Sequence, residues 1–406
     1  MARNRLAAVG AGLGAFGAAI AIALSAGHPL DYASPSCSAN PLCDDGAPAI
    51  DALVHGHVGA FFDRQPLMGP VSLLLRAPFA AVTGGNDLSR YRAGLLACLL
   101  VVAALGAFLA LVAAQRGRPW WFQLLVGIGV VVNPVTFSAV HFGHPEELLG
   151  GALVAGAAVA AVYGRSTTAG LLVGLAIATK LWALLALPAL LVVLPLGRRR
   201  LVATAAVTAA VLIAIPVVGA PTQFRHNLDA LGRLGSSPGG VSRTDVWFPA
   251  VKPVVFLAPV GFDSRGAVIR SYVPAYDVPN WVGKLAHALI VAAAVLVALF
   301  WERRGRPGAP ERVALAIALV LLLRCVLDPG TRSYYHAPFL LALASYETLV
   351  RRRAPWLSLA AVAGYEAFSR TVPHIQSGTL LGLAYLAWTL PLAAVMSVEL
   401  MRRRAG

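Results

Sequence analysis

Charge is what this chain has least of: of 406 residues only 13% are Asp, Glu, Lys or Arg, about half the share of an ordinary soluble protein. Too little polarity is left to clothe a surface facing water, and 58% of the residues are hydrophobic. Apolar runs of about 20 residues, the length that crosses a bilayer, recur from one end to the other. A soluble globular domain is thereby excluded, and the chain reads as a polytopic membrane protein.

Acids are scarcer than bases, 18 against 33, for a net charge of +15. The excess does not form a basic patch with interleaved aromatics, so nucleic acid is excluded as a partner. Lysine is nearly absent beside arginine, which with the alanine content hints at a GC-rich bacterial genome. The bases fall in short runs between apolar stretches: Arg3/Arg5, Arg116/Arg118, Arg165, Arg198 to Arg200, Arg303/Arg304/Arg306/Arg312, Arg351 to Arg353 and Arg402 to Arg404. By the positive-inside rule that side is cytoplasmic, with both termini there. Asp31, Asp44, Asp45, Asp51, Asp63, Asp87, Glu146, Glu147, Asp229, Asp245, Asp263, Asp277 and Asp328 then lie outside. The expected setting is a bacterial cytoplasmic membrane with the polar chemistry at its outer face.

Cysteine is rare as well. Cys37 and Cys43 fall in the first outer loop, where an oxidising compartment allows a disulfide; Cys98 and Cys325 lie in spans and read as packing residues. No internal repeat is visible, which weakens an inverted-repeat transporter. The first apolar run, 6–26, has no convincing small-residue cleavage site and reads as a retained helix.

The expected fold is all-α, a single integral membrane domain over 1–406 with about twelve spans. Single crossings read at 6–26, 91–114, 120–138, 148–163, 201–219, 284–301, 312–327, 335–350, 355–372 and 379–400. The apolar stretch 167–196 is too long for one helix and has arginines at both ends, so it reads as a short helical hairpin with its tip near Lys180. Two outer loops are long. The first, 27–90, contains an apolar piece broken by Pro70, Arg76 and Pro78 that suits a helix lying in the interface. The second, 220–281, is rich in Pro, Gly and aromatics and reads as an ordered loop against the membrane.

Polar residues at membrane level stand out against this background. In "CDDGAPAIDALVHG" the acids Asp44, Asp45 and Asp51 are candidates for a general base, since partial burial raises a carboxylate's proton affinity; a solvated acidic loop is the plainer reading. "HFGHPEELL" offers His141, His144, Glu146 and Glu147. These are metal-ligand types, but the spacing fits no zincin pattern and Pro145 breaks any helix aligning the histidines, so a divalent metal is possible and not required. An intramembrane protease of EExxxR type is excluded because its arginine position is Gly151. The remaining reading starts a helix at Pro145, with the glutamates in its first turn, where the helix dipole favours acids, and the histidines facing a polar site.

Lys180 is a lone cation in "GLLVGLAIATKLWALLALP", and an intramembrane charge is by default a functional-site hypothesis. "LRCVLDPGTRSYYHAPFLL" brings Arg332, Tyr335 and His336 to one outer turn, suited to a phosphate or to sugar hydroxyls, with Arg324 expected to pair with Asp328. Glu366 and Arg370, one helical turn apart, are expected to pair with each other.

The acidic loop after the first span, the "GHPEE" turn and "GLLVGLAIATKLWALLALPALL" closing on basic residues together resemble the GT-C superfamily of polytopic glycosyltransferases. The resemblance is to the family-87 mannosyltransferases that use polyprenyl-phosphate sugars. It runs over about residues 1 to 350 and is clearest between His141 and Arg200. It implies an inverting transfer of a sugar, often mannose, from a polyprenyl-phosphate donor to a lipid or glycan acceptor outside the cytoplasmic membrane. It further implies that an aspartate of the first outer loop is the base, at Asp44 or Asp45, and that Lys180 meets the donor phosphate. This chain departs from the family by lacking an aromatic residue soon after that aspartate, which keeps Asp51 as an alternative. The competing class is a multi-span transporter or lipid-linked sugar flippase, for which charges would be expected along a path through the membrane.

Overall fold

The computed structural model describes residues 2–29, 44–66, 68–83, 86–231, 246–248, 252–262, 268–277, 279–305, 309–350, 354–375 and 377–402. Cys37 and Cys43 lie outside these residues, so their pairing does too. The chain begins with α1 (Ala2–Ser25), followed in the first long loop by α2 (Ala47–Val54), α3 (Val58–Asp63) and α4 (Pro70–Ala81). Then come α5 (Asp87–Gln115), α6 (Trp120–Gly129), α7 (Pro134–His141), α8 (Pro145–Val162), α9 (Ser166–Ile177), α10 (Leu187–Val193), α11 (Arg198–Gly219) and α12 (Pro221–Leu231). After the second long loop the chain continues as α13 (Asn280–Gly305), α14 (Val313–Leu327), α15 (Ala337–Val350), α16 (Trp356–Thr371) and α17 (Gly378–Met401).

Among the described residues, seven helices are long and apolar enough to cross a membrane, the segments beginning at Asn4, Asp87, Trp120, Pro145, Arg198, Trp281 and Gly378. The figure of about twelve is not reached by length. The helices α14, α15 and α16 have only 15, 14 and 16 residues, and 167–196 is divided into α9, a 3-10 segment and α10. The stretch expected as a span at 120–138 is two helices joined at Asn133. The Asn133 side chain accepts from Thr136 N at 2.9 Å and donates back to Gly129 O at 3.1 Å, capping one helix while tying down the other.

The core is the trio α8, α14 and α15, buried on nearly every side. A helix apolar all round has no face for water and belongs inside. "PEELLGGALVAGAAVAAV" adds small residues that let neighbouring backbones approach closely. Around this trio stand α5, α9, α13, α16 and α17, with α1 packed outside against α5 and α6.

In one respect the helical expectation is amended. The second long loop contains an antiparallel pair of strands, β1 (Lys252–Phe262) and β2 (Val268–Asp277), with Lys252 opposite Asp277 and a register shift between Pro259 and Gly261. "KPVVFLAPVGF" and "VIRSYVPAYD" are rich in β-branched and aromatic residues, which favour strands. The loop is ordered as expected but as strands, and its register shift falls between a proline and a glycine.

The two ends of the bundle differ in charge. At one end Arg116 donates to the carbonyl of Leu349 and lies 3.9 Å from Glu311, Arg312 donates to Leu400 O at 3.2 Å, and Arg198 pairs with Glu302 at 3.0 Å. Guanidinium groups there meet the last carbonyls of α15 and α17, where the helix dipole is negative. The opposite end carries the first turn of α8, Lys180 and the first long loop.

Candidate active site

The turn in "HFGHPEELL" is built by Gly143, whose φ of 78° lies in the left-handed region that glycine enters without steric cost. It lets α7 end at His141 and α8 start at Pro145, the proline occupying a first helical position where no N–H is needed. Glu146 and Glu147 follow, both fully buried in the first turn.

Three further segments supply their partners. The Lys180 Nζ is 3.1 Å from Glu146 Oε1 and 3.7 Å from Glu147 Oε1. The His144 Nδ1 is 2.9 Å from the same Glu146 oxygen, and its ring stacks on Tyr334 at 4.2 Å. From the end of α14, Arg324 approaches Glu147 Oε2 to 3.9 Å, its guanidinium lying 4.4 Å from the Tyr335 ring and 5.3 Å from that of Trp182. Two acids and two permanent cations thus neutralise one another in a buried cluster. Charges without such partners would carry a large desolvation cost there.

The first long loop adds a second buried pair. Asp44 accepts from both terminal nitrogens of Arg76 on α4, one contact being Nη1 to Oδ1 at 3.2 Å, and its Oδ1 also accepts from Gly46 N at 3.0 Å. Burial alone would push the Arg76 guanidinium down, but the charge of Asp44 outweighs it and holds the group above its ordinary value. Asp45 is half-buried and has contacts of its own. Asp51, on α2, is half-exposed and pairs with Arg90, with His55 Nδ1 at 3.4 Å.

Backbone contacts weld the two clusters together. The start of α4 docks on the turn carrying Lys180: Gly69 N donates to Thr179 O at 2.9 Å and Val71 N to Ala178 O at 3.3 Å. On α5, Tyr91 donates to Val140 O at 2.6 Å, just before the histidine turn. The second long loop closes in as well, with Trp247 Nε1 donating to Leu327 O at 2.6 Å and Asn227 to Gln65 O at 3.0 Å. An apolar cavity of about 150 Å³ between α6, α15 and α16 includes Leu148, the residue after Glu147.

Of the residues singled out in the sequence, His144, Glu146, Glu147, Lys180 and Tyr335 converge. His141 does not; it is exposed and stands edge-on to Phe142. His336 is drawn elsewhere: its Nδ1 meets Ser333 O at 3.0 Å and its Nε2 meets Tyr385 OH at 2.8 Å, so both nitrogens are taken by packing with α17 and not offered to a substrate. Arg332 is half-buried ahead of the tyrosine turn. The expected pairing of Arg324 with Asp328 gives way to Glu147, while Asp328 Oδ1 accepts from Gly330 N at 2.9 Å. Glu366 and Arg370 do pair, at 2.7 Å. Arg324, Trp182 and Arg76 were missed as site residues. The signal for Arg324 was present, a single cation in "VALAIALVLLLRCVL", the same signal that singles out Lys180.

A helical membrane bundle with buried opposite charges and aromatics gathered at one end is the setting of a membrane glycosyltransferase, and sequence comparison agrees. Residues 67–329 match the model of glycosyltransferase family 87, and the chain belongs to that family. The matched segment contains the histidine turn, both glutamates, Lys180 and Arg324, and begins after Asp44, Asp45 and Asp51. No curated protein matches the chain. A solved structure, the archaeal oligosaccharyltransferase AglB from Archaeoglobus fulgidus in complex with an inhibitory peptide and a dolichol-phosphate, aligns with a TM-score of 0.40 at 13% identity. The alignment covers 97% of this chain and 56% of that one, so this chain spans little more than half its length.

Proposed function

We propose that this glycosyltransferase moves a hexose, mannose by the family resemblance, from a polyprenyl-phosphate donor to a lipid or glycan acceptor at the extracytoplasmic face, with inversion. The observation that carries the reading is the junction of two buried clusters, Asp44 with Arg76 and Glu146/Glu147 with Lys180 and Arg324, across the Gly69–Thr179 contact. One cluster offers a carboxylate to an acceptor and the other offers cations to a leaving phosphate. The orientation rests on the sorting of arginines to the opposite end.

Asp44 is the best placed of the three aspartates. It is buried and held rigid by Arg76, whereas Asp51 is half-exposed on α2. A carboxylate has about four lone-pair positions; Arg76 takes two and the Gly46 amide a third, which leaves one on Oδ2 for an acceptor hydroxyl. In the reaction Asp44 takes the hydroxyl proton, the acceptor oxygen bonds to the anomeric carbon from the face opposite the phosphate, and the bond from that carbon to the phosphate oxygen breaks. The polyprenyl phosphate departs with the electron pair, its charge met by a cation of the glutamate cluster. The scheme does not call for a metal. The apolar cavity beside Leu148 suits part of a prenyl tail.

The test is sugar transfer by purified full-length protein in lipid, supplied with polyprenyl-phosphate mannose and a crude acceptor extract. Wild type is compared with Asp44→Asn, Asp45→Asn and Asp51→Asn. Transfer lost in folded Asp44→Asn and kept in Asp51→Asn supports the assignment. Transfer unaffected by Asp44→Asn sinks it.

A further inference from the structure

Four polar atoms of the buried cluster have no hydrogen-bond partner among the described residues: Oε2 of Glu146, Oε2 of Glu147, Nη1 of Arg324 and Nε1 of Trp182. They come from three separate segments, the first turn of α8, the end of α14 and the 3-10 segment after Lys180. Glu146, Glu147 and Arg324 are each more than nine-tenths buried. A buried donor or acceptor left unmade is expensive, and four in one place are a built binding surface.

The four divide by chemistry into two acceptors and two donors. The donors, Arg324 Nη1 and Trp182 Nε1, want an acceptor, and the cation among them favours an anion. The acceptors, both carboxylate oxygens, want hydroxyl protons and repel an anion. One ligand meets both demands, an anionic phosphate bearing a polyhydroxylated ring. Lys180, by contrast, is already hydrogen-bonded to Glu146 at 3.1 Å, with Glu147 at 3.7 Å, whereas the nearest carboxylate to Arg324, at 3.9 Å, is beyond hydrogen-bond reach. The Tyr335 and Trp182 rings hold the guanidinium in place.

We infer that Arg324 and Trp182, and not Lys180, receive the donor's phosphate, while the free oxygens of Glu146 and Glu147 accept hydrogen bonds from hydroxyls of the transferred sugar. Lys180 is then a positioning residue, an internal counter-ion that keeps the two carboxylates charged and aimed. This rests on the reading of the donor as a lipid-phosphate sugar. It predicts that the site distinguishes a sugar-loaded carrier from the bare carrier through Glu147, and binds the phosphate of either through Arg324 and Trp182.

The experiment measures binding of two probes, a short-chain polyprenyl phosphate and the same molecule carrying mannose, to full-length protein in lipid nanodiscs. Wild type is compared with Trp182→Phe, Arg324→Lys and Glu147→Gln, each checked for folding by its melting temperature. Trp182→Phe keeps an aromatic ring beside Arg324 but loses the N–H together with the five-membered ring that carries it. It is expected to weaken both probes by about ten- to hundredfold, the worth of a hydrogen bond to a charged group. Glu147→Gln is expected to hold or tighten the bare phosphate, because Arg324 loses its internal competitor, and to cut the preference for the mannosylated probe by about tenfold or more. If Arg324→Lys does not fold, the tryptophan variant carries the test alone. Wild-type binding of both probes with Trp182→Phe unchanged overturns this assignment and leaves the donor reading standing. Equal weakening of both probes by Glu147→Gln overturns the sugar contact. Wild type that binds neither probe overturns the donor reading together with this inference.

Discussion

The amide of Gly69 donates to the carbonyl of Thr179 at 2.9 Å, and it is this contact that joins the first long loop to the turn bearing Lys180. The approach is possible only without a side chain: a Cβ built on Gly69 would lie 2.0 Å from the carbonyl oxygen of Ala178. Gly69→Ala therefore pushes α4, and Arg76 and Asp44 with it, away from the glutamate cluster. We expect a loss of about 1 to 3 kcal/mol in stability, in the range of other overpacking changes, and a fall in transfer rate larger than that loss explains at a temperature where the variant is folded. Thermal unfolding in detergent alongside transfer assays checks this. A variant of wild-type stability and rate would mean that the junction is not rigid.

The Asp44–Arg76 pair makes a sharper demand, because stability and chemistry should separate. Arg76→Met leaves a buried carboxylate without its cation and is expected to cost about 3 to 5 kcal/mol. Adding Asp44→Asn to it removes the orphaned charge and should restore much of the stability without restoring transfer. Asp44→Asn alone should lose about 10² to 10⁴ of the rate, the usual contribution of a general base. If the double variant recovers both stability and rate, Asp44 is a structural residue and the base lies elsewhere, with Asp45 the next to test.

How far such relationships could be read from the sequence depended on whether they were local. The start of α8 at Pro145 is written in a proline followed by two acids, and the turn at Lys180 in a polar break between two apolar runs; both are patterns within a few residues. That Lys180 meets Glu146, and that Arg324 meets Glu147 instead of the nearer Asp328, depends on packing among α8, α9 and α14. No periodicity encodes that. Arg76 was misread for the same reason, as an interruption of an apolar helix, because its partner lies 32 residues earlier in a loop. In the second loop, proline and glycine hid the strand signal carried by the valines and tyrosines between them.

His336 illustrates how a histidine in a promising turn is settled by its neighbours. With Ser333 O on one nitrogen and Tyr385 OH on the other, it ties the tyrosine turn to α17. Tyr385→Phe removes one buried hydrogen bond and is expected to cost about 1 kcal/mol, with the KM for donor unchanged and any loss confined to stability or kcat. A raised KM with unaltered stability would return His336 to the substrate site.

Lys180 offers the clearest contrast between a binding cation and an internal one. If it held the phosphate, Lys180→Met would act mainly on donor affinity. As the counter-ion of two fully buried glutamates, its removal leaves adjacent negative charges uncompensated at the first turn of α8. The expected result is a destabilisation of about 3 to 5 kcal/mol. Glu146→Gln in the same chain should relieve it, because the amide oxygen replaces one of the two stranded charges. Double-mutant cycles on melting free energy measure this coupling directly. A coupling near zero, together with a selective loss of donor binding in Lys180→Met, would show the lysine reaching out to the substrate; a coupling of a few kcal/mol, about the size of the single loss, would show it facing inward to the glutamates.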